Sequence, residues 1–516
     1  MKKILMTTIV VCAFLLTACG NAQTNEIPTP TVEPTKEIET TPEPMTTTIP
    51  TVEPAATSTP TPEPTATSTP IPEPTATSTP TPEPTQGGVL YEETGEHYFV
   101  FEEKEDGTIR IVNINPDTSL ETVVIPREYK GNPVTEIGAD AFFYYESLTT
   151  LVIPDGVTII SDSAFYNCAN LTSVELPDSV TTIGNKAFSH CAGLTSIELP
   201  NSITNLGDGV FERCGLASIV LPDKITEIGE YMFFECESLM DVKIPDGVTV
   251  IGNSAFYYCT NLASIDLPDG VTAIGEDALA GCASLTQLEL PKGVTTIGAR
   301  AFAGCNGLTT FEFPDGITTL SEGVIYFSEN LTSVKLPDSV TEIGNSAFSN
   351  CSSLVNINIP SSLTIIGEEA FSFCKALPVL ELSEQVTTIG KQAFYGSGWS
   401  KEQNYIVTGN GILCAVSSKL EGEFVVPSGV KSIAEGAFMY CSKLTSVVLP
   451  EGVVSIGDNA FDYCEKVKTL TLPGSINSIG RINGMLSKFR LKTVIAPKDS
   501  FAEQWAKDNG YDVSNE

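Results

Sequence analysis

From Ile137 onward the apolar and polar positions of the chain recur with a fixed period. The unit reads Ile-Gly-x-x-Ala-Phe-x-x-Cys, then Leu-x-x-Val-x-Leu-Pro-x-x-Val-Thr-x before the next Ile-Gly. Taking the residue before Phe as a marker, copies fall at 141, 164, 187, 210, 232, 255, 278, 301, 324, 347, 370, 393, 437 and 460, with a degenerate copy at 483. The period is 23, broken by one step of 22, where a residue is missing between Cys214 and Leu216, and one of 44 across residues 396–426. In one unit Val174 and Leu176 alternate with Ser173 and Glu175, as a strand with one buried face requires. Pro177 ends that strand because it has no N–H to donate. Val180, Ile183, Ala187 and Phe188 complete the inward set, and Gly184 permits a tight bend between them. One unit thus buries about seven apolar side chains, too few to offset the conformational entropy of ordering its residues. The units must stack as parallel coils, at about 4.8 Å per coil, which leaves the two ends as the weak points.

A period of this length with Leu-x-x-Leu-x-Leu spacing marks a leucine-rich repeat. The Leu-Pro after the strand and the Ile-Gly-x-x-Ala-Phe-x-x-Cys segment resemble the BspA-like class of bacterial surface leucine-rich repeats, over about residues 110–497. The expected fold is a leucine-rich-repeat solenoid of about fifteen 23-residue coils, stacking parallel β-strands with short helical turns and capped at both ends. Repeats occupy 125–395 and 427–497, with an insertion or degenerate repeat at 396–426. Residues 89–124 read as a β-hairpin cap, with Tyr98–Phe101 and Thr108–Val112 flanking Asp106-Gly107. Residues 498–516, including Phe501–Ala506 and Trp505, resemble that family's closing helix and strand. The resemblance implies a surface-exposed protein used for adhesion or contact with other molecules, and it supplies no catalytic residue to carry over.

The segment before the repeats reads as an address and a tether. Lys2 and Lys3 precede an apolar run from Ile4 to Leu16, followed by Leu16-Thr17-Ala18-Cys19-Gly20. That order of charge, short apolar run and small residues is a secretory signal, and the run is too short to span a bilayer. The Cys after the small residues resembles the bacterial lipobox, which implies cleavage after residue 18 and acylation of Cys19. More than one acyl chain gives stable anchoring. Residues 19–88 then form a Pro/Thr-rich stalk with blocks such as Thr57-Ser58-Thr59-Pro60-Thr61-Pro62. So few large apolar side chains cannot build a core. Pro at this density favours extended polyproline II. The expected location is the extracellular face of the bacterial cell membrane, with membrane contact through the lipid anchor alone.

Composition narrows the chemistry. The formal net charge is −36. Two lysines in residues 1–21, and nine Glu against one Lys in residues 22–88, leave −30 for the remainder. A basic surface for phosphates is then missing, so no nucleic-acid partner is expected. Eleven of the 14 cysteines occupy one repeat position, three after the Phe, where other coils hold Tyr145, Ser328, Ser397 and Ser487. Stacked neighbours would point their Cβ atoms in parallel, which disfavours disulfides and fits buried free thiols. Only His97 and His190 exist, and neither stands in metal-ligand spacing or in a nucleophile–base constellation. No enzyme activity, metal or cofactor is expected. Pro-Asp turns at Asp155, Asp178, Asp223, Asp246, Asp269, Asp315 and Asp338 fit either simple turns or a calcium ladder.

Two surfaces remain as candidates. Aromatics cluster beside Ala-Phe at Phe143, Tyr144, Tyr166, Phe234, Tyr257, Tyr258, Tyr326, Tyr440 and Tyr463, as packing between turns or as a contact surface. The outward strand positions carry Glu175, Glu198, Asp266, Glu289 and Glu312. The last three are expected in a row about 4.8 Å apart, where like charges repel and a basic partner or cation would relieve them. The expected function is noncatalytic binding of a protein or glycan ligand at the cell surface. A structural spacer and a carbohydrate-binding accessory module are the alternatives. Replacing Cys19 with Ser should leave the protein unlipidated while the repeats keep their fold. Detergent phase partitioning reads this directly, and a variant that stays with the membrane phase contradicts the anchor.

Overall fold

The computed structural model describes residues 95–115, 119–401, 403–482 and 490–515; Cys19, the stalk, Asn483 and Ser487 lie outside them. From residue 95 onward the described chain is a parallel solenoid of about seventeen turns of roughly 23 residues. Two ladders of very short strands run along it. One uses the Leu-x-x-Val-x-Leu segment, as in Thr150–Val152 beside Ser173–Glu175 and Ser218–Val220 beside Asp241–Lys243. The other uses the Thr-x-Ile segment before each Ile-Gly, as in Val250–Ile251, Ala273–Ile274 and Thr296–Ile297. Both are in register by whole coils, so Ile251 lies beside Ile274 and Ile274 beside Ile297. Every inward side chain therefore meets its own counterpart in the next coil.

The Ala-Phe segment is a run of hydrogen-bonded turns, where short helical turns were expected. Every second N–H group points along the solenoid axis. Phe142 N donates to Ala164 O at 2.7 Å and Tyr144 N to Tyr166 O at 2.8 Å. The residue before Ala and the second after Phe take left-handed backbone, as at Lys186 (φ 56°) and His190 (φ 63°). With the left-handed residues four apart, every second N–H reaches a carbonyl of the next coil, while those between close turns within their own coil, as Phe143 N does on Asp140 O and Tyr145 N on Phe142 O. That geometry explains why Gly281, Gly304, Asn167 and Asn350 stand in the slot of His190, because Gly and Asn enter the left-handed region most readily.

Phenylalanines stack in a column through the core. Ring centroids of Phe142 and Phe165 are 4.9 Å apart, those of Phe165 and Phe188 5.3 Å, and those of Phe371 and Phe394 5.5 Å. The Cys column lies beside it. Cys168 Sγ donates to Phe142 O at 3.3 Å, Cys236 to Phe211 O at 2.9 Å and Cys464 to Phe438 O at 3.0 Å. Ser328 Oγ makes the same bond to Phe302 O, which is why Ser replaces Cys there. Polar side chains tie the outer corners: Thr181 Oγ1 donates to Thr158 O at 3.2 Å, and Asn185 Oδ1 accepts from Asp208 N at 2.7 Å.

Both ends are closed. At the start, Phe99–Glu103 and Ile109–Ile114 form an antiparallel hairpin whose second strand pairs in parallel with Asn132–Ile137. At the end, the helix Phe501–Asp508 packs against the strands, and Asp512–Asn515 pairs with Thr493–Ala496. Ser500 caps the helix by accepting from Glu503 N, while Glu503 accepts from Asp499 N, a variant of the reciprocal N-terminal box. Within residues 396–426 a second hairpin appears, Tyr405–Val407 with Ile412–Val416. It repeats the bonding of the first. Val416 N donates to Ala437 O as Ile114 N does to Ala141 O, and Ala434 N donates to Leu413 O as Gly138 N does to Ile111 O. The buried residues accordingly fall into two clusters, with Ile406 and Cys414 in the first and Leu413 and Val416 in the second.

The N-terminal hairpin is locked by one buried carboxylate. Glu136 accepts from Arg110 Nε at 2.7 Å and from Ser161 Oγ at 3.0 Å, and pairs with Lys104 Nζ at 3.1 Å. Burial pushes its pKa up, but the bonds from Arg110, Lys104 and Ser161 outweigh it and hold the carboxyl below its ordinary value. Its stabilisation is complete above the ordinary carboxylate range and is lost as pH falls through the lowered folded-state value. Glu136→Gln should cost about 2 kcal/mol at neutral pH and little at pH 3. Amide exchange should rise first in the coils next to the hairpin; uniform acceleration along the solenoid would contradict a local lock.

Candidate functional site

The strand wall is the surface on which the repeated core displays varied side chains. In Ser173–Glu175, Asp241–Lys243 and Thr310–Glu312 the middle residue is buried and both flanks are exposed. Glu175, Glu198, Asp266, Glu289 and Glu312 are all exposed. Only Glu175 and Glu312 lie in paired strands. The ladder lapses at Glu198, beside the coil shortened between Cys214 and Leu216. It survives at Asp266 and Glu289 only as an isolated bridge between Ser264 and Gln287. The expected row of three unrelieved carboxylates is also shortened at one end. Glu312 lies beside Lys335 in register and forms an ion pair with it, and hydrogen bonding to Glu312 raises the Lys335 pKa. Lys243 holds the same outward position one coil before Asp266. Asp266 and Glu289 remain as the acidic pair, with Lys243 in the coil before them and the lysine-paired Glu312 in the coil after.

The other candidate groups are internal or mutually packed. The 12 described cysteines are free and buried. Burial pushes the thiols of Cys168, Cys236, Cys305 and Cys351 up to about 12, so they stay protonated and unreactive. His190 sits in a relay across coils: Arg213 donates to its Nε2 at 3.1 Å, and its Nδ1 lies 2.8 Å from Ser189 Oγ. Ser189 Oγ in turn donates to Glu212 Oε2 at 3.3 Å. Burial, ahead of the neighbouring charges, lowers the His190 pKa. The imidazole is neutral in this arrangement, with Nδ1 as the donor. Ser189 is fully buried, so the pair presents no accessible nucleophile. Aromatic rings stack from coil to coil, Phe143 on Tyr166 at 5.0 Å, Phe234 on Tyr257 at 4.9 Å and Tyr440 on Tyr463 at 4.7 Å. They are packing partners, although Phe143 and Tyr144 remain about half exposed, at 48% and 55%. Among the described residues no group of His, Cys, Asp or Glu is arranged to hold a metal ion, and no helix is long and apolar enough to cross a membrane.

Residues 116–240, 227–355, 295–405 and 416–499 match the sequence profile of the BspA type leucine rich repeat region. The chain belongs to the BspA-type leucine-rich repeat family. A leucine-rich repeat protein from Bacteroides ovatus is similar in structure, with 28% identity over 83% of this chain and 100% of that one and a TM-score of 0.56. A leucine rich cell surface protein from Faecalibacterium prausnitzii shows 26% identity over 76% of this chain and 94% of its own, with a TM-score of 0.42. No curated protein matches the chain. Leucine-rich-repeat solenoids are in general noncatalytic binding scaffolds.

One signal was hidden by averaging charge over the chain. Residues 89–402 hold 14 Lys and Arg against 43 Asp and Glu, whereas residues 403–516 hold 11 against 12. Between 466 and 498 there are seven Lys and Arg and no acidic residue. A sliding count of charge would have found this segment. For the thiols, the described cysteines should resist labelling in the native protein and react in denaturant without any reductant. Thiols blocked until reduction would overturn the free-thiol column.

Proposed function

We propose that this BspA-type protein is a noncatalytic binding protein held at the cell surface through acylated Cys19, with the stalk of residues 19–88 lifting the solenoid from the membrane. The ligand is a protein with a basic patch, taken on the strand wall around Asp266 and Glu289. The observation that supports this reading is the repeated exposure of the outward strand positions over a core that recurs coil after coil. A rigid stack of this kind presents side chains at a constant spacing with little entropy left to lose on binding. The acidic pair gives that spacing a charge, which steers a basic partner and sets its register.

The test compares two variants of equal charge change, using polylysine as the probe. Asp266→Asn with Glu289→Gln alters the wall, while Asp315→Asn with Asp338→Asn alters the Pro-Asp turns. Two exposed pairs at up to about 1 kcal/mol each predict a loss of affinity of roughly tenfold at low salt for the wall variant, and a smaller loss for the turn variant. Equal losses would reject the wall as the site. Thermal melting should be unchanged or slightly raised in the wall variant, since a repulsion between neighbouring coils is removed.

A further inference from the structure

The last coils differ from the rest in charge and in the residues they align. Lys468 O accepts from both Lys492 N and Thr493 N at 2.9 Å, and Lys492 O accepts from Asp512 N at 2.9 Å. Thr469, Thr493 and Asp512 are register partners in turn. Lys468, Lys492 and Tyr511 therefore occupy one position in three successive coils. Two residues before the lysines stand Lys466 and Arg490, again one coil apart. All four basic residues are exposed. Among the described residues Lys466, Lys468 and Lys492 form no ion pair. The column ends on an aromatic pair, since the Tyr511 ring stacks near Trp505 with centroids 5.5 Å apart.

We infer that this basic edge is a second binding surface, separate from the acidic wall, and that its ligand is a linear acidic polysaccharide. The favouring observation is a local excess of positive charge: in a chain with a formal charge of −36, four exposed basic residues, Lys466, Lys468, Arg490 and Lys492, stand on two successive coils, and the sequence holds no acid between 466 and 498. At physiological ionic strength fields decay over about 8 Å, so the acidic coils farther along do not cancel the local potential. Coil stacking repeats the lysines at about 4.8 Å, close to the rise of one sugar unit in an extended polysaccharide. Carboxylates on successive sugars can then meet lysines on successive coils. The Trp505–Tyr511 pair at the end of the column offers an apolar face for a sugar ring. A single-stranded nucleic acid also combines charge with stacking faces and is the competing ligand.

The experiment uses the full-length chain and polygalacturonate as the probe, followed by calorimetry and by Trp505 fluorescence. Saturable binding is expected, weakening roughly tenfold or more between 50 and 200 mM salt as several charge contacts are screened. Lys468→Glu with Lys492→Glu should weaken it at least about tenfold while melting as the parent does. Lys243→Glu with Lys292→Glu makes the same charge change in the earlier coils and should leave binding nearly unchanged. Equal loss in both variants, absence of binding, or tighter binding of oligothymidylate than of polygalacturonate would overturn the inference. None of these outcomes bears on polylysine binding to the acidic wall, so the two surfaces are tested apart.

Discussion

Many carbonyls of this solenoid find a donor in the neighbouring coil. The carbonyl of Phe142 receives Cys168 Sγ from the following turn, that of Ala164 receives Phe142 N from the preceding one, and those of Thr149 and Thr158 receive N–H groups one coil on. An isolated coil would leave these groups buried without partners or open to water, at a cost of about 1–3 kcal/mol for each buried group left unmade. Coil-to-coil hydrogen bonding is therefore the constraint from which the exact repeat follows. A side chain that satisfies one carbonyl must recur at the same offset to satisfy the next. The column tolerates Ser328 because a hydroxyl donates as the thiol does.

The same constraint explains the caps. A stack exposes one open face at each end, and both faces are closed by elements that do not follow the repeat. The N-terminal hairpin brings an ion network, with Glu136 joining Arg110, Lys104 and Ser161. The C-terminal helix brings Glu503, whose pKa is lowered to about 2 by hydrogen bonds from Asn515, Lys507 and the Asp499 backbone. The hairpin of residues 405–416 shows what happens when a cap is placed inside the stack. One of its faces, with Ile406 and Cys414, joins the preceding core, and the other, with Leu413 and Val416, joins the following core. Strand alternation makes a single hairpin both a lid and a foundation.

Function in such a molecule is written on the side chains the core does not use. The inward set and the ladder residues are dictated by stacking, whereas the outward strand positions and the edges are free to vary. Asp266 and Glu289 on one stretch, and Lys468 and Lys492 on another, occupy such free positions. The internal hairpin falls between the two stretches, and so does the change in charge balance at residue 403. One stack of coils thus carries two electrostatic characters on one backbone.

The sequence by itself determined the coil, its period and the inward column of Phe and Cys, because a 23-residue repeat writes the same contacts many times over, the Cys position alone eleven times. It also pointed to caps at 89–124 and 498–516, where the period stops. It did not reveal that Ala-Phe forms turns bounded by left-handed residues four positions apart, because helix and turn share the same apolar spacing. The second strand ladder at Thr-x-Ile was equally hidden, two residues being too short to show alternation. Only the tertiary structure decided that Glu312 is neutralised by Lys335 and that the strand ladder lapses at Glu198. It alone showed the hairpin of 405–416 as a cap shared by two cores. Those outcomes rest on contacts between residues more than twenty positions apart, and the chain records such neighbours only once it is stacked.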